Sequence, residues 1–171
     1  MRKLDLPDTF GKFTRLRLLE KQDLEMIRAW RNKPRARRWF NFSAPVTREN
    51  HHIWYENYCQ SNDDYMFILE DLERKNLPVA VAGVYNFNWA TGSAEIGRFV
   101  VGEDSALGTK VINDIHPAMF KLFEQRGLAE FRAQVKENNH LALRMFFDLG
   151  YKLCATENQM VYLTYGKEVN Q

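Results

Sequence analysis

Two short apolar runs, Pro78–Tyr85 (PVAVAGVY) and Ser93–Val101 (SAEIGRFVV), are rich in small and β-branched residues and are separated by an Ala90-Thr91-Gly92 turn. That arrangement predicts a β-hairpin. The second run leads through a polar turn into a helix expected over roughly Leu107–Gln125, where Val111, Ile112, Ile115, Met119, Phe120 and Phe123 recur at helical spacing. A hairpin that feeds an amphipathic helix excludes all-α and all-β folds. It requires a sheet with helices laid on it.

The remaining segments continue the alternation. Phe13–Leu19 reads as a strand and Lys21–Arg31 as a helix with Leu24, Ile27 and Trp30 on one face, ended by Pro34. Thr47 is placed as the N-cap of a helix over Arg48–Cys59. Tyr65–Leu69 and Phe131–Val135 read as strands, Leu141–Leu149 as a helix with Gly150 suited to its C-terminal cap, and Tyr151–Thr156 with Gln159–Tyr165 as a closing hairpin. Pro117 is expected to kink the long helix or displace one turn. The order β-α-α-β-β-β-α-β-α-β-β predicts an α+β or α/β domain with a mixed sheet, one domain over 1–171 with its core at about 13–165.

Charge and composition exclude several functions. A formal charge of +2, from 24 basic and 22 acidic residues, gives no basis for a dedicated nucleic-acid binder. No apolar run is long enough to cross a membrane, and the first residues lack the apolar stretch of a signal peptide. Two cysteines, Cys59 and Cys154, make neither a disulfide scaffold nor a cysteine zinc site, so a cytoplasmic setting is expected. The histidines His51, His52, His116 and His140 include no His-x-x-x-His pair, and no metal is expected. Aromatic residues reach 13%, enough either to fill a core or to line a ligand site.

Two stretches carry chemistry. Val101 runs through Gly102-Glu103-Asp104 into Ser105-Ala106-Leu107-Gly108-Thr109-Lys110, a strand-to-helix turn whose unpaired N–H groups suit a phosphate. The second, Asn139-x-x-Ala142 followed by Leu149-Gly150-Tyr151, reads on its own as a turn, an amphipathic helix and a cap. Together they resemble the GNAT superfamily of acyl-CoA-dependent N-acyltransferases, over about Phe13 to Tyr165. In the phosphate turn only Gly108 matches the family pattern fully. The Asn139 block matches closely. Ala29-Trp30-Arg31-Asn32, Arg38-Trp39 and Val46–Trp54 are similar to a branch containing nucleotide-sugar N-acetyltransferases of the pseudaminic-acid type. Ala94-Glu95-Ile96-Gly97 is shared with ribosomal-protein Nα-acetyltransferases.

The resemblance implies an α+β GNAT-like fold, a central, mixed and strongly twisted sheet flanked by helices. It implies acetyl-CoA as co-substrate. Ser105, Ala106, Leu107, Gly108, Thr109 and Lys110 would cradle the pyrophosphate, and Asn139, Ala142 and Phe146 would line the pantetheine arm. The central strand is expected to splay after Ala94–Gly97 and to offer backbone N–H groups of Phe99, Val100 and Val101 to the acetyl carbonyl. Glu95 is the candidate general base, against a plain ion pair with Arg98 or a neighbouring arginine. His51 is a second candidate for base or substrate contact, against an ordinary helix histidine. Phe146 stands where the family usually has the tyrosine that protonates the leaving thiolate.

The acceptor is expected to be a small-molecule amine, on a nucleotide-linked amino deoxy sugar. Arg31, Trp39, His51, Asn86 and Asn88 are its candidate contacts, and the cluster Arg31, Arg35, Arg37 and Arg38 favours an anionic substrate. Trp39, Phe40, Phe42, Trp54, Tyr85, Phe87 and Trp89 can line the acceptor pocket or pack the core. Alternatives are a protein N-terminal or aminoglycoside-like acceptor, and a weakly active or non-catalytic coenzyme A-binding module. Either a monomer or a homodimer fits.

Overall fold

The computed structural model describes residues 6–106 and 110–166. Eight strands form one sheet in the order β1-β2-β3-β4-β5-β6-β8-β7. They are β1 (Thr9–Phe10), β2 (Thr14–Leu18), β3 (Asp64–Asp71), β4 (Leu77–Asn88), β5 (Ser93–Val101), β6 (Glu130–Lys136), β7 (Lys152–Glu157) and β8 (Met160–Gly166). All neighbours are antiparallel except β5 and β6, which run parallel. A parallel pair needs a crossover, and α4 (Lys110–Glu124) supplies it.

Each face of the sheet is covered by helices. On one, α1 (Leu24–Asn32) and α3 (Arg48–Gln60) set Leu24, Ile27, Trp30 and Tyr58 against Met66, Ile68, Val81 and Val100. On the other, α4 and α5 (His140–Asp148) pack on a larger core that includes Phe67, Val84, Ala94, Phe131 and Leu163. Phe120, Phe123 and Phe131 belong to this core, as expected of them.

The local signals explain the boundaries. Thr47 accepts a hydrogen bond from the Asn50 N–H at 3.1 Å and starts α3. Asn139 does the same for α5, accepting from Ala142 N–H at 3.3 Å. Gly150 adopts φ +91°, a left-handed turn that glycine enters without penalty, and closes α5.

Two details differ from expectation. Pro34 opens a four-residue helix, α2 (Pro34–Arg37), and α1 has already ended at Asn32. At a first helical position proline's missing N–H costs nothing and its fixed φ suits the turn. Pro117 lies inside α4 without interrupting it. No helix among the described residues is long and apolar enough to cross a membrane.

Candidate functional site

The parallel β5–β6 pairing is short. Its registered pairs are Ser93–Glu130, Ala94–Phe131 and Glu95–Arg132, and it stops there although both strands continue. Beyond Glu95, β5 keeps its β4 neighbour but loses its β6 neighbour. The β4 register also slips between the Gly83–Gly97 and Val81–Val100 pairs, and Arg98 in the extra stretch takes φ +52°. A bulge of this kind bends a strand and re-aims its backbone. Backbone groups of β5 that would have bonded β6 are left facing a gap.

That gap is a cavity of about 520 Å³. Phe99, Val100 and Val101 form its β5 wall, and Asn139, Ala142 and Met145 its α5 wall. Ile112 and Asn113 of α4 line it as well. Because the Asn139 side-chain oxygen caps α5, its amide N–H₂ is the end left for the cavity. The walls are thus largely apolar with an amide donor at Asn139, which suits an extended chain of methylenes and amides, and Arg35, Arg38, Arg144 and Asp148 add charge to the lining.

The α1–α3 linker crosses the opening. Lys33 donates from Nζ to the Gly102 carbonyl at 2.7 Å, and Arg35 donates to the Val101 carbonyl at 2.9 Å and pairs with Asp104. At the far end Lys136 donates from Nζ to the carbonyls of Arg38 and Phe40 at 3.2 and 3.3 Å. The linker therefore spans from the end of β5 to the end of β6. Gly102 is where α1 meets β5. A Cβ there would overlap the Trp30 ring.

A second cavity, of about 770 Å³, shares Arg38 and Trp39 with the first. Lys136, Glu137 and His140 line it from the β6–α5 end, and Asn158 and Gln159 from the β7–β8 turn. Arg38 is exposed, with its guanidinium 5.0 Å from the Trp39 ring centroid. Two fixed cations and one carboxylate face this space, so it favours a negatively charged ligand.

The structure gathers some of the expected residues and scatters others. Phe99, Val100, Val101, Asn139, Ala142 and Trp39 line the first cavity. Phe146 is buried, with its ring edge-on to Tyr151 at 4.9 Å, and does not line it. Leu107, Gly108 and Thr109 lie outside the described residues. On the flanks of that turn, Ser105 accepts from Arg74 at 2.9 Å, Lys110 pairs with Glu73 at 2.9 Å and Ala106 is buried.

The candidate acceptor contacts are more dispersed. His51 is buried between α1 and α3, stacked on Trp54 at 5.3 Å, and lines neither cavity. Burial holds its pKa below the usual histidine value, so it is neutral at neutral pH. Arg31 stacks on Phe40 at 3.5 Å and donates to the Phe42 carbonyl at 2.6 Å. Arg37 donates to the Ser43 carbonyl at 2.9 Å. Three members of the arginine cluster thus fasten the linker, and Arg38 alone of the four lines both cavities. Asn86 and Asn88 are exposed at the β4 end, where Asn88 accepts from Ala90 and Thr91 N–H and closes the hairpin. Of the other aromatics, Phe40 lines the first cavity, Phe42 is exposed, and Phe87 packs on the core with Trp89 stacked on it at 4.9 Å.

Glu95 sits at the last β5–β6 pair, where the gap begins. The alternative reading of Glu95, an ion pair with Arg98, is not formed: Arg98 bridges Asp64 at 2.7 Å. Arg132 pairs with Glu130 at 3.1 Å. Among the described residues no group of three or more His, Cys, Asp or Glu is placed to hold a metal ion.

Comparison with known proteins agrees with this geometry. Residues 14–152 match the model of the acetyltransferase (GNAT) domain family. An uncharacterised protein of Methanocaldococcus jannaschii is 26% identical over 151 residues, which is 86% of this chain; the chain spans 30% of that longer relative. A crystallised domain from the same organism superposes with a TM-score of 0.78 at 22% identity, covering 94% of this chain and 100% of that one. Spermidine N-acetyltransferase from Vibrio cholerae, solved with CoA and spermine, gives 0.77 at 17% identity, covering 91% and 96%. AAC(6')-Ib, solved with paromomycin and acetyl-CoA, gives 0.75 at 18% identity, covering 92% and 95%.

Proposed function

The chain belongs to the GNAT acetyltransferase family, and from that premise we propose that it moves an acetyl group from acetyl-CoA to a primary amine on a nucleotide-linked amino deoxy sugar. The observation that carries the transfer is the parting of β5 from β6 after Glu95 and Arg132. It leaves an apolar slot edged by unpaired backbone, which fits a thioester arm. The Val100 N–H faces Val81 of β4, so the open-side N–H groups of the Phe99–Val101 stretch, Val101 above all, would donate to its carbonyls, Asn139 would add an amide N–H, and Ala142 and Met145 would pack its methylenes. Acetyl-CoA supplies the activated acyl group. An N–H aimed at a developing oxyanion contributes about 3–4 kcal/mol to such a reaction.

Glu95, which makes no ion pair among the described residues, takes the proton of the attacking amine, directly or through water. The acceptor lies in the second cavity. There Arg38 can grip a phosphate in a two-pronged contact, with Lys136 adding charge and the Trp39 ring a stacking surface. A single carboxylate, Glu137, suits a polycation poorly.

Two other readings have support. Structural likeness to a spermidine N-acetyltransferase and to an enzyme solved with paromomycin favours a cationic acceptor. Phe146, with no proton to give, favours a weakly active or binding-only module. Thermal-shift titration separates all three. A native-state ligand raises the melting temperature with occupancy. Acetyl-CoA together with UDP- or dTDP-linked amino sugars should stabilise the protein, and spermidine should not. Stabilisation by acetyl-CoA without turnover on any amine would favour the binding module.

A further inference from the structure

Tyr85 stands directly opposite Glu95 in the β4–β5 pair. Both lie on the α1/α3 face of the sheet, since Tyr85 is four residues along β4 from Val81 and strand side chains alternate. The Tyr85 ring is fixed from one side by the Arg98 guanidinium, 4.1 Å from its centroid, and Arg98 is held in turn by Asp64 at 2.7 and 2.8 Å. The hydroxyl lies over Gly97. A Cβ at Gly97 would collide with Tyr85 Oη and would stand 3.4 Å from Cζ. Gly97 is the second residue past the last β5–β6 pair, so the hydroxyl stands where the sheet opens.

Packing does not account for this hydroxyl. Phenylalanine would stack on Arg98 equally well and would need no notch at Gly97. No residue of the described structure hydrogen-bonds Oη. A half-buried phenol thus makes no hydrogen bond to the described residues and stands opposite Glu95, where the β5–β6 pairing ends.

On the acetyl-transfer reading above, we propose that Tyr85 is a catalytic residue on the acceptor side, whose phenolic oxygen accepts a hydrogen bond from the attacking amine and holds it between Glu95 and the open edge of β5. The amine nitrogen forms the bond to the acetyl carbon, the C–S bond breaks, and sulfur leaves with the electron pair as thiolate. The proton lost by nitrogen passes to Glu95, which returns it to solvent, and solvent protonates the thiolate. Tyr85 ends as it began, a neutral phenol. Burial and the nearby Glu95 carboxylate both raise its pKa and keep it in that form.

The test is a double-mutant cycle with Tyr85→Phe, Gly97→Ala and their combination. Thiol release is followed with acetyl-CoA and a UDP-linked amino sugar, spermidine or paromomycin, whichever the wild type acetylates. Each single variant should lose about tenfold in kcat/KM for the amine, the scale of one hydrogen bond. The double variant should lose no more than Gly97→Ala alone, because the added methyl acts only by displacing a hydroxyl that is no longer there. Acetyl-CoA affinity, measured by calorimetry, should stay within twofold throughout, which a merely structural defect would not spare. Tyr85→Phe within twofold of wild type, or losses that multiply in the double variant, would overturn the assignment of Tyr85 alone. A folded wild type that binds acetyl-CoA and acetylates none of the three amines would overturn the underlying reading along with it.

Discussion

Arg98 is bound to Asp64 and not to Glu95: its Nη1 reaches both Asp64 carboxylate oxygens, at 2.7 and 2.8 Å. Arg98 lies three positions after Glu95, and regular alternation would put them on opposite faces of the strand. The bulge at Arg98 turns its side chain onto the same face, yet towards β3. Among the described residues Glu95 makes no ion pair within 4 Å, and Arg132 opposite it, bonded to Glu130, acts on it only at longer range. Glu95→Gln should therefore cut kcat by about 10²-fold or more while acetyl-CoA affinity holds. A kcat within twofold of wild type would remove Glu95 from the mechanism.

Phe146→Tyr adds a hydroxyl at the position where the resemblance places the thiolate's proton donor. The expected result is a rise in turnover with cofactor binding unchanged. Because Phe146 is buried edge-on to Tyr151, the added oxygen needs a partner, and the variant should lose about 1–3 kcal/mol of stability in chemical denaturation. A fall in turnover with binding intact would show that the slot works without this acid.

His116 and Tyr151 meet inside the core, Nε2 to Oη at 2.5 Å. Burial pushes the His116 pKa down from 6.5 to about 4. The folded protein then holds a neutral imidazole over a range where the unfolded chain binds a proton. The contribution of His116 to stability should be complete above about pH 6.5 and fall as the pH drops towards 4, by roughly 3 kcal/mol. Urea midpoints measured from pH 7.5 to 4 should follow that slope. His116→Gln, which keeps a hydrogen-bonding group and cannot titrate, should flatten it.

Glu70 links two arginines under the sheet edge, Arg15 at 2.9 Å and Arg17 at 2.6 Å, and Arg17 also holds Asp23 at 2.7 Å. The Glu70 side chain is only 6% exposed, which makes the network a buried one. Removing one member strands the others. Glu70→Ala should destabilise the fold by about 3–5 kcal/mol in denaturant titration. High salt should change that figure little, unlike the exposed Arg48–Glu25 pair.

Patterns confined to neighbouring residues were legible in the sequence. The caps at Thr47 and Asn139, the turn at Gly150 and the hairpin over Pro78–Val101 all depend on residues within one turn of one another. The slot was legible through Phe99, Val100, Val101, Asn139 and Ala142, because strand and helix order sets which segments border it. Features that depend on a distant carbonyl were not. Arg31, Arg35 and Arg37 are charges in the sequence, but in the fold they hold the backbone of Phe42, Val101 and Ser43. His51 looks like a base on an exposed helix until α1 packs over it. Pro34 reads as a terminator, but it also starts a helix, and the two-residue β1 is too short to leave a period. The Tyr85–Gly97 contact needs a strand register that no single segment reveals, although a glycine inside a strand is itself a sign of close approach.

Acetyl transfer to an anionic amine is tested most directly by thiol release from acetyl-CoA in the presence of a UDP-linked amino deoxy sugar, with spermidine as the control acceptor. The account predicts release that depends on the sugar, with kcat/KM at least about tenfold above that for spermidine, and an N-acetylated nucleotide sugar in the mass spectrum. Preferential acetylation of spermidine, or no acetylated product from either amine, would contradict it.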